Sequence, residues 1–248
     1  MIELERGREA ASILYEAARV GRKTVGLSPL VVGALGDSAS GFYLAGYLKE
    51  ATRLQNQVVR DTKTVYGIQH EQFANAINNY ALYLSETGDP KEALQYALQA
   101  GEIYASLEGM TPAQADNSNL IGYVAMDCSN YEKAMAAFLK AVKLKSAARG
   151  PNDPSVAVAL GNAAQAALRL GQTEQATRLI NQSIAIIDNT IGRDDPRAAQ
   201  HLVQLATVRR EEGRKKEAAV LIQQACNALE KNSEKITQNT PRLPSTWL

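Results

Sequence analysis

The chain has 248 residues, 45% of them apolar and 21% charged, and its 27 lysines and arginines against 26 aspartates and glutamates leave a net charge of +1. That length supports one or two domains with a continuous core, and the near-neutral balance lacks the basic footprint of a protein that grips the nucleic-acid backbone, so no nucleic-acid partner is expected. Only Cys128 and Cys226, and His70 and His201, are available as soft ligands, in no metal or redox spacing, so neither a disulfide framework nor a metal or other cofactor is expected.

From the N-terminus, Glu3, Glu5, Glu9 and Glu16 lie among basic residues and around Ile2, Leu4, Ile13 and Leu14. Signal peptides are apolar-cored and transit peptides poor in acid, and this stretch fits neither. No run of about 18 apolar residues occurs in the chain, so no membrane span is expected. An intracellular, reducing compartment follows: the cytoplasm, or an organelle interior if a transit peptide has been removed. Residues 1–25 read as a helix, with Glu9-Ala10, Leu14 and Ala17 in the register of a hairpin's second helix. Two readings of it stand, a cap on the array or half of a repeat cut from a longer one.

Residues 26–231 read as five helical hairpins. Gly46, Gly88, Ser129, Gly171 and Gly213 each stand five residues before an alanine, namely Ala51, Ala93, Ala134, Ala176 and Ala218, at intervals of 42, 41, 42 and 42. Seventeen residues before each turn position come Pro29, Glu71, Pro112, Pro154 and Pro196, preceded by Ser28, His70, Thr111, Asp153 and Asp195. A side-chain cap followed by proline suits a helix start. Upstream again, Gly26, Gly67, Gly109, Gly150 and Gly192 are placed to close the helix before. In the first hairpin Gly33, Gly36 and Gly41 weaken the first helix; in the third, Ser129 replaces the turn glycine. Ala81, Gly122, Ala164 and Ala206 in first helices, and the marker alanines in second helices, are where two backbones come close. Residues 232–248 form a polar tail in which Pro241 and Pro244 break the helical period, with Trp247 and Leu248 as its apolar anchors.

The stretch Asn78-Asn79-Tyr80-Ala81-Leu82-Tyr83, followed by Gly88-Asp89 and Glu92-Ala93-Leu94, resembles the tetratricopeptide repeat in its roughly 42-residue form, similar to the repeats of kinesin light chains. The expected fold is all-α, a right-handed α-solenoid of antiparallel helix hairpins whose first helices line a concave face. First-helix residues not used in packing then meet a protein or peptide partner: Asn75, Asn79, Asn119, Tyr123, Asn162, Gln165, Arg169, Gln204 and Arg210. Asn79, Asn162 and Gln204 occupy one aligned slot, and a ladder of primary amides can hold an extended peptide backbone. The resemblance implies that use for the slot, although Leu120 interrupts it in the third hairpin. The bland alternative is a solvated surface, with Arg169 and Arg210 paired to Glu174 or Glu211. The lysines of a chaperone-tail carboxylate clamp are missing from the matching slots. No phosphate-binding G-x-x-x-x-G-K motif and no nucleophile with a nearby base is evident, so no enzymatic activity is expected. The sequence therefore points to a non-catalytic scaffold or adaptor that takes a partner's peptide or helix in its groove; the rival is a structural subunit of a large assembly, held through its convex face and termini.

Overall fold

Chain reversal is set by residues in the left-handed backbone region. In the computed structural model, which describes the backbone of residues 2–239 and the side chains of 5–230, every glycine that the repeat places at a helix boundary has positive φ. Ser129, in the third turn slot, has φ 56° and is the one non-glycine residue in that region among those described. It bears a steric cost that glycine avoids.

The helices between these turns are α1 (Ile2–Thr24), α2 (Pro29–Leu44), α3 (Leu48–Tyr66), α4 (Glu71–Glu86), α5 (Pro90–Ser106), α6 (Thr111–Asp127), α7 (Tyr131–Arg149), α8 (Pro154–Arg169), α9 (Thr173–Thr190), α10 (Ala199–Glu211) and α11 (Lys215–Asn239). No strand occurs among the described residues. Two of the four caps expected before a proline form their bond, Asp153 accepting from the Ser155 N–H and Asp195 from the Arg197 N–H, and in the cap slot of the second hairpin His70 Nδ1 accepts from the Gln72 N–H. Ser28 makes no such bond, and Thr111 lies inside α6, which starts after Met110. A 3-10 turn, Pro196–Ala198, precedes α10. The polar stretch from Lys231 onward stays helical to Asn239, because the first proline comes only at Pro241. Residues 240–248, with Pro241, Pro244, Trp247 and Leu248, lie outside the described residues.

Two compact units result, residues 1–130 and 131–248. In the first, α1 to α6 pack in succession. Three glycines do not break α2, although each costs about 1 kcal/mol in propensity, because Val31, Leu35 and Ala39 are buried between neighbours. Polar side chains pin one helix to the next: the Ser38 hydroxyl of α2 donates to Ala11 O of α1 at 2.7 Å, and the Arg22 guanidinium of α1 forks onto Asp61 of α3 at 2.7 and 3.1 Å. The expected register of α1 is corrected by one residue. Ala11 and Ala18 are buried while Ala10 and Ala17 are exposed, because Ala11 packs into the space left at Gly41. The Asn117 amide of α6 donates to Ala97 O of α5 and to Asn78 of α4.

In the second unit α8 packs with α7, α9 and α10. Its face is nearly all small, with Ala157, Ala159, Ala163, Ala164, Ala166 and Ala167 buried around Gly161, so backbones approach closely. Ser183 of α9 donates to Ala157 O at 2.9 Å and meets His201 Nδ1 of α10 at 2.8 Å.

Candidate functional site

In the first unit the missing side chains at Gly33 and Gly36 open a cleft of about 180 Å³ between α2, α3 and α4. Val32, Val58 and Ala76 supply apolar wall, and Asp37, Ser40, Thr62, Tyr66, Gln72, Asn75 and Asn79 supply polar groups. Gln55 of α3 also lines it and is 1% exposed. Its Nε2 donates to Ala76 O at 2.9 Å, which fixes the amide and leaves Oε1 as an acceptor without a donor. A buried polar atom in that condition ordinarily costs about 1–3 kcal/mol. Asp37 is exposed and forms no ion pair with a described residue.

Two of the nine expected site residues thus share one cleft. Asn75 and Asn79, four apart on α4, both line it. Asn75 Oδ1 accepts from the Tyr104 hydroxyl at 2.6 Å, and burial pushes that phenol's pKa up. Asn119 and Tyr123 stand on α6, the first half-buried and the second exposed.

The aligned amides of the second unit have a different environment. Asn162 and Gln204 are each 2% exposed, and Gln204 Nε2 donates to Asn162 Oδ1 at 3.4 Å. The expectation that they form an open ladder is corrected: Gly161 lets α10 come so near α8 that both amides are enclosed between the helices. Gln165, Arg169 and Arg210 remain exposed. The Arg169 guanidinium lies 5.7 Å over the Tyr131 ring, and Arg210 pairs with Glu211 at 3.4 Å, as the alternative reading of that arginine has it.

Sequence reasoning missed Gln55 and Asn117. Both carried a signal, since each is an amide set in the buried register of its helix: Gln55 follows Ala51 and Leu54 and precedes Val58, all buried.

Ser183 and His201 touch, but both are enclosed and the serine proton is committed to Ala157 O; burial lowers the imidazole pKa. No group of three His, Cys, Asp or Glu residues that could hold a metal occurs among the described residues, and no described helix is long and apolar enough to cross a membrane.

Comparison with known proteins gives three likenesses. Residues 113–189 match the tetratricopeptide repeat family model. A curated relative, the clustered mitochondria protein homolog of Meyerozyma guilliermondii, is 24% identical over 159 residues, which are 64% of this chain and 12% of that protein; the chain therefore spans about an eighth of that relative's length. Among solved structures, BtubC from P. vanneervenii superposes with TM-score 0.74 at 18% identity, covering 99% of this chain and 97% of that one. A Podosopora anserina kinesin-light-chain-like protein of nearly identical repeats superposes with TM-score 0.72 at 20% identity, covering 82% and 96%. These structures share the fold.

Proposed function

We propose that this chain, whose residues 113–189 match the tetratricopeptide repeat family model and whose all-α hairpin fold is that of kinesin-light-chain-type structures, is a non-catalytic interaction scaffold whose first-helix face in the first unit holds an extended segment of a partner protein. The observation that carries this reading is the α2–α4 cleft, where Asn75 and Asn79 meet an orphaned buried acceptor. Amides offer both donors and an acceptor to a peptide backbone, whatever its side chains. Asn79 forms no hydrogen bond with another described residue, so it is ready to do so. Exposed Gln165, Arg169 and Arg210 extend the same role to the second unit, where the enclosed Asn162 and Gln204 act by positioning helices. The free thiols Cys128 and Cys226 suit a reducing compartment.

The test uses the intact chain and a displayed library of random 12-residue peptides. Clones recovered on the wild type should bind the Gln72→Ala/Asn79→Ala variant at least tenfold more weakly and the Gln95→Ala/Gln99→Ala variant of exposed α5 residues equally well. The reverse pattern, or no clones at all, contradicts the reading. A second reading, a structural subunit held through α11, is favoured by exposed Ile222 and Leu229, which stand seven residues apart on one flank of that helix. It predicts concentration-dependent self- or hetero-assembly that Ile222→Glu abolishes in light scattering.

A further inference from the structure

The cleft in the first unit is lined by one carboxylate, that of Asp37, and by no basic residue. Gln55 Oε1 is a buried acceptor with no donor, its orientation locked because turning the amide over would set two oxygens against each other at Ala76. Thr62 already donates its hydroxyl proton to Val58 O, which leaves its oxygen as an acceptor. Asp37 adds a carboxylate that forms no ion pair with a described residue, and no lysine or arginine lines the space. The walls below these groups are aliphatic, from Val32, Val58 and Ala76. Ser40, Tyr66, Gln72, Asn75 and Asn79 can donate as well as accept, but none of them is cationic; what the cleft lacks is a cation on an apolar stem.

Size narrows the occupant. At about 180 Å³ the space falls short of the roughly 300–1,000 Å³ of pockets for cofactors and drug-sized ligands, and suits one long side chain. Lysine and arginine are the side chains that present only donors, with a formal charge, on three or four methylenes. Such a stem buries along apolar wall while its head stays with polar partners.

Resting on the peptide-scaffold reading, we propose that this cleft is a specificity pocket for a lysine or arginine side chain of the bound segment, with Gln55 Oε1 and Asp37 as its receptors. Glycine at 33 and 36 is then part of the recognition: nothing lies within 4 Å of a Cβ built at Gly33, and only Val58 within 4 Å of one at Gly36, at 3.9 Å, so these positions keep open a space that the fold itself does not need empty.

The same 12-residue display library on the intact chain tests the pocket. A basic residue should be enriched at one fixed position of the recovered peptides. Replacing it by norleucine, which keeps the stem and removes the charged head, should weaken binding about tenfold, as should Asp37→Asn. Gly36→Leu, which fills the space, should abolish the basic preference while circular dichroism and the melting midpoint show an intact fold. Peptides that bind the inner face with an acidic or apolar preference overturn the pocket and leave the scaffold standing. Peptides with a basic preference unchanged by Gly36→Leu and Asp37→Asn place that recognition elsewhere and overturn it too. No recovered peptide overturns both.

Discussion

Gly161 and Gly33 are both helical glycines in first helices, yet they serve opposite ends. A side chain at Gly161 would run into the buried Gln204 amide, whereas one at Gly33 would meet nothing. Gly161→Ala should therefore destabilise the second unit by about 1–3 kcal/mol through overpacking, and Gly33→Ala should be neutral or stabilising by up to about 1 kcal/mol through helix propensity. Urea unfolding of the two variants checks the pair, and equal shifts of the same sign would contradict it. The contrast also explains what could be read in advance. The slot shared by Asn79, Asn162 and Gln204 was legible from the period alone, but its environment was not. That depends on whether the neighbouring first helix closes on it, which Ala-rich α8 permits and the open α2–α4 cleft does not. Gln55 was legible in principle, as an amide in an apolar register; its orphaned oxygen depends on which neighbour its nitrogen finds.

At the scale of elements, the hairpins could be read because their markers are steric necessities: alanine where helices cross, glycine where φ turns positive. All five marker alanines are buried, and the boundary glycines turn as placed. The one-residue shift of α1 escaped because Gly41, a local gap, overrides the interval. Helices are further tied by polar pins that no period announces, of which the Ser183–His201 contact linking α8, α9 and α10 is titratable. Burial lowers the His201 pKa, so the folded chain holds it neutral. In the unfolded chain it titrates near 6.5. Below that pH the unfolded state binds a proton that the folded state does not, and stability falls as pH drops from about 7.5 through about 6.5 until the folded pKa is reached. Hydrogen bonds from Ser155 to Asp153 and from Thr177 to Glu212 lower those two carboxyl pKa values, so their contributions are lost only at more acidic pH. Thermal melts at pH 7.5 and 5.5 should show a drop in the wild type that His201→Gln largely removes; an equal drop in both would contradict the assignment.

At the scale of the whole molecule, the chain has two compact units of helical hairpins, and neither presents a catalytic constellation among its described residues. Three buried side-chain oxygens lack a donor among the described residues, those of Gln55, Gln204 and Gln224. That of Gln204 is enclosed between helices, and that of Gln224 lines a cleft with Arg193, Arg209 and Lys216, whereas the cleft at Gln55 has no basic residue and has Asn75 and Asn79 beside it. A scaffold needs such a place, because a partner's donors find there an acceptor that the protein's own described side chains leave unmatched. The direct measurement is amide hydrogen exchange of the intact chain with and without a peptide recovered from the displayed library. The account predicts slowed exchange in α2 and α4, residues 29–44 and 71–86, with α5 unaffected; slowing confined to α5, or to the second unit, with α2 and α4 unchanged, would contradict it.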